Sequence, residues 1–219
     1  MEKRKHIVIL AAGDFPTHPV PLAALGEADF VVCCDSAYGA LRAAAPCIAA
    51  TVMVIGDGDS LPDAEKRQLG DRWIQVDEQD YNDLHKAMDW ATTTFNIQHS
   101  TFNIIGATGL REDHTLGNIS YLATFIAEHP GIDVAMLTDH GRFTVFNGCR
   151  TYSSFPRQQV SLFSATPGIP LSAEGLQWPL KNRCLPLWWE GTLNSALADS
   201  FTVEGGTVIV FQTYGAKQA

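Results

Sequence analysis

Short apolar runs alternate with helix-like patterns over the first two thirds of the chain. The runs lie at residues 6–10, 30–34, 51–55, 73–76, 103–105 and 133–137. Some, such as residues 51–55, are apolar on both faces, which is typical of parallel strands that helices cover on each side. The pattern therefore predicts an α/β domain built on a mostly parallel, Rossmann-like sheet.

Two of the intervening segments predict amphipathic helices. The first begins at residue 80 or 81 and ends near residue 95, and the second covers residues 113–128. Helical spacing marks as buried Leu84, Ala87, Met88 and Ala91 in the first, and Leu116, Ile119, Leu122, Ala123 and Ile126 in the second. The same spacing turns Asp83 and Lys86 away from the buried stripe of the first helix.

The chain changes character after about residue 148, where helical patterns give way to short strand candidates between glycine and proline turns. These candidates lie at residues 159–165, 185–189, 201–203 and 207–212. The last two flank Glu204-Gly205-Gly206, a spacing typical of a β-hairpin. We therefore expect two domains, residues 1–148 and residues 149–219, and we expect the second to be an all-β sandwich.

Composition narrows the class of protein. A formal charge of -9 over 219 residues excludes a general nucleic-acid binder, which needs a basic surface to displace counterions. The five cysteines are odd in number and lack CxxC spacing, so we expect reduced thiols and a cytoplasmic protein. The apolar run near the start is expected to be a buried strand rather than a signal peptide. No run approaches the ~18 apolar residues of a membrane span, so no membrane partner is expected.

Two acidic pairs follow apolar runs directly. Asp57 and Asp59 come after the third run, and Asp80 and Asp83 come after the fourth. Ligands of open α/β sheets bind beyond the carboxyl ends of the strands, and four carboxylates gathered there repel one another unless a divalent cation joins them. The alternatives are an ordinary turn for the first pair and helix capping for the second. Their shared sheet edge favours a metal site next to phosphate.

A third cluster, residues 106–114 with the sequence GATGLREDH, follows another predicted strand. Its glycines allow backbone N–H groups to approach a phosphate, the next helix offers its positive N-terminus, and Arg111 supplies a planar cationic fork. The glycines alone would suit a structural turn, but Arg111, Asp113 and His114 together at a helix start favour a ligand. Asp35 also follows a strand, where it could serve the same site or cap a helix.

Taken in order, these clusters resemble the thiamine pyrophosphokinase family. The matching segments are GDxDS at residues 56–60, a DQDxTD-like segment at residues 79–83 with Lys86, RxDH at residues 111–114, a GLKWxL-like segment at residues 175–180 and a TSN-like triplet at residues 192–194. Ser36, Asn82, Ala107, Leu110 and Leu193 differ from the residues common in the family. The lost glycines narrow backbone freedom near phosphate, and Leu193 removes a hydroxyl near the expected thiamine pocket.

The resemblance implies a nucleotide-binding α/β domain, a thiamine-binding β-sandwich and a homodimer whose interface helps to build the active sites. It also implies the reaction, in which Mg-ATP and thiamine give thiamine diphosphate and AMP. The implied nucleotide-binding residues are Asp35, Asp80, Lys86, Thr108, Arg111 and His114. The implied thiamine-binding residues are Gln79, Trp178, Thr192 and Asn194.

We hypothesise that Asp57, Asp59, Asp80 and Asp83 hold one or two Mg²⁺ ions around the triphosphate, so that charge on the transferred diphosphate is neutralised in place. Asp83 or Asp113 accepts the proton of the attacking thiamine hydroxyl, and Arg111 holds phosphate oxygens. The expected catalytic residues are Asp57, Asp59, Asp83, Arg111 and Asp113. Two other functions stay open at this point: a DxD-type nucleotide-sugar transferase and a non-catalytic thiamine or nucleotide sensor.

Overall fold

Two compact units make up the chain in a computed structural model that describes residues 3–217. The first unit contains residues 3–118 and 131–139, and the second contains residues 119–130 and 140–217. The predicted boundary near residue 148 falls inside a strand, Gly141–Ser153, instead of at its end. Strand patterning continues through Gly148, so the change in composition there does not mark a change in secondary structure.

The first unit is built on a six-stranded parallel sheet. Its strands are β1 (Lys5–Leu10), β2 (Phe30–Cys34), β3 (Thr51–Gly56), β4 (Trp73–Gln75), β5 (Ser100–Ile105) and β6 (Asp133–Leu137). Their order across the sheet is β6-β5-β1-β2-β3-β4, and every neighbouring pair is parallel. The chain adds β2, β3 and β4 on one side of β1, and it then adds β5 and β6 on the other side. The gap between β1 and β5 is therefore the switch point of the sheet, where ligands of such sheets bind. All six predicted strands and the parallel α/β fold are confirmed.

Helices connect the strands of the first unit. They are α1 (Pro19–Gly26), α2 (Ala37–Ala44), α3 (Asp63–Leu69), α4 (Asp83–Thr94) and α5 (Glu112–Glu128), the last of which continues into residues of the second unit. The sheet is buried on both faces, as the consecutive β1 residues Ile7, Val8 and Ile9 show, since all three are fully buried. Continuous burial of this kind explains why the strands read as unbroken apolar runs.

Three helix predictions were wrong in detail. Helix α4 begins at Asp83, not at residue 80 or 81, because Asn82 is its N-cap and accepts a hydrogen bond from the His85 N–H at 3.0 Å. Lys86, which was predicted to point away from the buried stripe, is only 8% exposed. Leu116, which was predicted to be buried, is 57% exposed. The 3.6-residue period locates a buried stripe, but it does not show how widely neighbouring elements cover the helix.

The second unit is rich in antiparallel strands. They are β7 (Gly141–Ser153), β8 (Gln158–Ser164), β9 (Leu171–Glu174), β10 (Leu180–Arg183), β11 (Asn194–Ser195) and β12 (Ser200–Ala216). Strand β12 pairs with β7 along one edge and with β9 and then β8 along the other. Apolar side chains from both faces of these strands, including the stacked rings of Tyr152 and Phe201, form its core. The predicted β-rich C-terminal fold is confirmed.

Two predictions within this unit were wrong. Residues 201–212 are not a hairpin but part of the single strand β12, whose register shifts at a bulge between Gly205 and Thr207. A Cβ at Gly205 would lie 2.1 Å from a methyl carbon of Leu171, so the glycine serves close packing and not a turn. Residues 185–189 are not a strand, since Trp188–Gly191 forms a short 3₁₀ helix. In residues 3–217, no helix has the length and apolar character needed to span a membrane.

Candidate active site

A cavity of ≈ 490 Å³ opens at the carboxyl ends of the parallel strands in the first unit. Its lining comes from the segments that follow β1, β2, β3, β4 and β5 and from the first half of α5. The lining residues predicted from the sequence are Asp57, Gln79, Asp83, Lys86, Thr108, Arg111 and His114. The strand order brings together side chains that lie up to 57 positions apart in the chain, counted from Asp57 to His114. This is the position that the switch-point rule assigns to a ligand.

Three carboxylates interact at the acidic end of this cavity. Burial raises the pKa of Asp83, and the nearby charges of Asp57 and Asp35 raise it further against the opposing effect of Lys86. Burial also raises the pKa of Asp35, which is 2% exposed, and Asp57 adds to that shift. The charge of each of these carboxylates therefore acts on at least one of the other two.

Two hydrogen bonds hold the carboxylate of Asp57 in place. It accepts hydrogen bonds from the Asp59 N–H at 3.2 Å and from the Gln79 side-chain amide at 3.2 Å. The Asp59 hydrogen bond is the main cause that lowers the pKa of Asp57, and the Gln79 bond adds to it. Asp57 is therefore a pre-oriented carboxylate that carries its charge over the whole physiological pH range.

Lys86 is the buried cation of the site. Its ammonium lies 3.6 Å from Asp83 Oδ1, one helical turn away, and its side chain is 4% exposed. A buried ammonium is costly without a partner, so the Asp83 carboxylate compensates for its desolvation. The pair also explains why Asp83 opens helix α4, where a negative charge meets the positive end of the helix dipole.

The four aspartates predicted as a metal cluster are not gathered into one group. Asp59 and Asp80 are exposed and do not line the cavity, whereas Asp57 and Asp83 do. Within residues 3–217, no set of three or more histidine, cysteine, aspartate or glutamate side chains has an arrangement ready to hold a metal ion. The carboxylate that interacts with Asp57 and Asp83 is Asp35, which the sequence had assigned to the nucleotide.

The donor set nevertheless suits a divalent cation. Asp35 Oδ1 is buried and has no hydrogen-bond partner in the described structure, while its other oxygen accepts from the Ser60 N–H at 3.2 Å. A buried carboxylate oxygen without a partner is unfavourable, and it lies among like charges from Asp57 and Asp83. Oxygen ligands of this kind are those that Mg²⁺ prefers.

Part of the cavity lining comes from two loops that bind each other through their backbones. The Ala11 N–H donates to the carbonyl of the last β5 residue at 2.9 Å, and the Gly13 and Asp14 N–H groups donate to carbonyls of the loop after β5 at 2.6 and 2.9 Å. A Cβ at Gly13 would lie 2.5 Å from the Gly106 oxygen, so only glycine permits this approach. This first loop was not predicted to belong to the site, although Ala12-Gly13 at the end of the first apolar run was a usable signal.

Arg111 and Asp113 form an exposed ion pair at the start of α5. The guanidinium donates to the two carboxylate oxygens at 3.0 and 2.5 Å. The Arg111 hydrogen bonds are the main reason that the pKa of Asp113 falls to about 2. Arg111 and His114 line the cavity, whereas Asp113 does not, so Asp113 orients the arginine.

The motif residues of the second unit form a compact turn. Asn194 is 7% exposed; its Oδ1 accepts from the Trp178 N–H at 3.1 Å, and its Nδ2 donates to the Trp178 carbonyl at 2.7 Å. Thr192 Oγ1 donates to the Trp189 carbonyl, and Leu193 adopts a left-handed φ of 61°. Asn194 therefore holds the backbone of Trp178, whose side chain is 57% exposed and free to meet a ligand.

Comparisons with known proteins agree with this architecture. Among solved structures, the thiamine pyrophosphokinase of Bacillus subtilis is 23% identical, with a TM-score of 0.73 over 94% of this chain and 98% of that chain. The Candida albicans enzyme is 16% identical, with a TM-score of 0.75 over 95% and 89% of the two chains. The yeast enzyme is 15% identical, with a TM-score of 0.72 over 96% and 87%. No match was found among curated protein sequences.

Two family models account for most of the chain. The model described as the thiamin pyrophosphokinase catalytic domain matches residues 23–136, and the model described as the substrate-binding domain matches residues 141–211. The first of these alone covers more than half of the 219 residues. The chain therefore belongs to the thiamine pyrophosphokinase family, as its motifs predicted.

Proposed function

We propose that the cavity of the first unit binds the triphosphate of ATP and that Asp57, Asp83 and Asp35 hold magnesium beside it. The reaction of the family transfers the diphosphate of ATP to thiamine and gives thiamine diphosphate and AMP. The observation that supports the site most directly is the convergence of three interacting carboxylates and a buried lysine at the carboxyl edge of the parallel sheet. Asp59 and Asp80 stay predicted ligands, since the Asp59 N–H bonds to Asp57 and Asp80 lies three residues before Asp83 in the chain.

A bound magnesium ion supplies positive charge to the phosphate oxygens and fixes their orientation. The chain supplies the rest. Lys86 adds a second positive charge from within the protein, and the exposed guanidinium of Arg111, held by Asp113, reaches phosphate oxygens from the opposite loop. Thr108 and its neighbour Ala107 line the same cavity. Together they stabilise the charge that develops between the α- and β-phosphates.

Asp83 is the better proton acceptor of the two that the sequence left open. Its pKa is raised by burial and by neighbouring carboxylates, and it lines the cavity. Asp113 is a weak base, because its hydrogen bonds with Arg111 hold its pKa at about 2. In this proposal Asp83 takes the proton of the thiamine hydroxyl as that oxygen attacks the β-phosphorus and AMP leaves.

Thiamine recognition is assigned to Trp178, Asn194, Thr192 and Gln79. The exposed indole of Trp178 offers an aromatic face to a cationic heterocycle, and Asn194 fixes its backbone. Gln79 is placed differently, since it lines the cavity of the first unit and donates to Asp57. We infer that Gln79 orients the Asp57 carboxylate through this hydrogen bond and also contacts thiamine.

A homodimer is the proposed assembly. Large apolar side chains of the second unit are exposed within one stretch of the chain, among them Leu187 at 54%, Trp189 at 70%, Leu193 at 75% and Leu197 at 60%. Exposed apolar groups at this density mark an interaction surface, and a second copy of the chain is the proposed occupant. Trp189→Glu should convert the dimer to a monomer in sedimentation analysis.

The five cysteines are all free, which supports the proposed cytoplasmic location.

The test is product analysis of purified protein with ATP, thiamine and Mg²⁺. We expect AMP and thiamine diphosphate in equal amounts, and we expect EDTA to abolish both products. Release of ADP or of a nucleoside diphosphate from a sugar donor would instead indicate a different transferase. Calorimetric binding of thiamine and Mg-ATP without turnover would indicate a sensor.

A further inference from the structure

Lys66 is a charged residue close to the acidic cluster that no motif includes. It lies in α3, and its ammonium is 5.6 Å from the centroid of the Trp73 ring, within the range of a cation–π contact. Its side chain is 24% exposed, while the carboxylate of its ion-pair partner Asp63 is 84% exposed at 3.8 Å. An exposed pair of that length contributes little, so the Asp63 contact does not explain why Lys66 is held in place.

The turn that carries Asp57 packs directly against this ammonium. Gly58, between Asp57 and Asp59, has a left-handed φ of 87°. A Cβ built on Gly58 would lie 2.6 Å from Lys66 Nζ and 3.0 Å from Trp73 Cζ2. The ammonium and the indole therefore cover the same side of the turn, and a Cβ at Gly58 would displace the ammonium as well as strain the left-handed backbone.

The charge of Lys66 also acts on the site. It lowers the pKa of Asp35 against the dominant effect of burial, whereas Lys86 lowers that of Asp57 and Asp83. Two lysines from different helices thus flank three carboxylates, and one of those lysines is outside the cavity lining. Among the positive charges of the described residues, these two lysines have the largest effects on the three carboxylates.

We propose that Lys66 is a positioning residue for the Asp57-Gly58-Asp59 turn: held between Gly58 and Trp73, it keeps that turn closed over Asp35 when no divalent cation is bound. The inference rests on the proposed magnesium site, because the ammonium substitutes for part of the charge that the cation brings. Two hydrogen bonds report closure of the turn, from the Asp59 N–H to Asp57 and from the Ser60 N–H to Asp35.

Amide hydrogen exchange of the metal-free protein tests this directly, since it reads local opening without reference to activity. In Lys66→Met, which keeps an apolar stem and removes the charge, we expect exchange in residues 57–61 to accelerate at least fivefold while exchange in β1 and β5 stays unchanged. Lys66→Arg keeps charge and cation–π contact and should behave as wild type. Arg67→Ala, at an exposed position on the same helix, is the matched control.

Saturating Mg²⁺ should return the exchange of residues 57–61 in Lys66→Met to within twofold of the wild-type value, whereas NaCl of equal ionic strength should not. Unchanged exchange in Lys66→Met overturns the inference. Uniform acceleration over the whole unit, or acceleration that Mg²⁺ does not reverse although the wild type binds Mg²⁺, also overturns it, because either result indicates a general structural role. A wild-type protein that binds no Mg²⁺ in calorimetry contradicts the proposed function itself, which separates the two failures.

Discussion

Asn82 Nδ2 donates a hydrogen bond to Asn118 Oδ1 at 3.2 Å and thereby joins the N-cap of α4 to helix α5. Asn118 is 8% exposed, and its own amide donates to the Ala107 carbonyl at 2.9 Å. A single buried side chain thus connects the turn before Asp83 to the glycine-rich turn after β5. Residues of both turns line the cavity, so this connection fixes their positions relative to each other.

Asn118→Ala should weaken nucleotide use more than thiamine use. The change leaves the Ala107 carbonyl and the Asn82 amide without a partner, at a cost of about 1–3 kcal/mol. We expect kcat/KM for ATP to fall about tenfold with little change in the KM for thiamine, measured by steady-state kinetics. Asn82→Thr separates the two functions of Asn82, because threonine still caps a helix but does not reach Asn118. Its melting temperature should stay near that of wild type while kcat/KM for ATP drops.

Asp57→Asn should reduce kcat by roughly 10²–10³-fold without unfolding the protein, since it removes a pre-oriented charge from the site. Single-turnover assays measure the loss, and circular dichroism checks the fold. Asp59→Asn distinguishes the cavity-lining aspartate from its exposed neighbour. A loss as large as that of Asp57→Asn would mean that Asp59 turns inward when magnesium binds. Asp71→Asn, on an exposed 3₁₀ turn, is the control and should keep full activity.

Asp35→Asn should stabilise the metal-free protein while it lowers activity. The pKa of Asp35 is raised in the folded state above its ordinary 3.8, so ionisation of this group favours the unfolded chain. Its unfavourable contribution is absent below the unfolded pKa and fully present once the pH exceeds the folded pKa. At pH 7 in EDTA we expect a higher melting temperature for Asp35→Asn than for wild type, where about 2–4 °C corresponds to each kcal/mol in a protein of this size.

Low pH provides the control for Asp35→Asn. The difference in melting temperature between Asp35→Asn and wild type should vanish as the pH falls below about 3.8, where Asp35 is protonated in both folded and unfolded wild-type chains. A gap that persists unchanged to that pH would show that packing, not charge, separates the two proteins. Thermal scans at several pH values in EDTA provide the measurement.

Trp178→Ala should raise the KM for thiamine about tenfold or more and leave the KM for ATP unchanged. The loss of an aromatic–cation contact of about 1–2 kcal/mol supports a change of this size. Trp178→Phe keeps an aromatic face and should recover most of the affinity. Isothermal titration with thiamine gives the binding constants, and an equal loss of ATP affinity would remove Trp178 from the thiamine side.

The features of this protein that depend on short segments of the chain could be predicted from its sequence. Six strands, the family motifs and the acidic pairs all follow from patterns within about twenty residues, because strand burial and turn chemistry are local. Strand order could not be read in this way. It depends on which strands pair, and it alone places Asp57, Asp83 and Thr108 around one cavity.

Packing over long sequence separations decided the rest. Lys86 is buried because β2 and β3 pack against α4, and Asp35, not Asp59 or Asp80, joins the carboxylate cluster because strand pairing brings it beside Asp57. The sequence of strand β12 predicted a hairpin because a glycine pair suits a turn and a β-bulge equally well. The pairing of β12 with its neighbouring strands decides between the two. Residue types thus defined the chemistry available to the chain, and tertiary contacts selected which of those side chains meet.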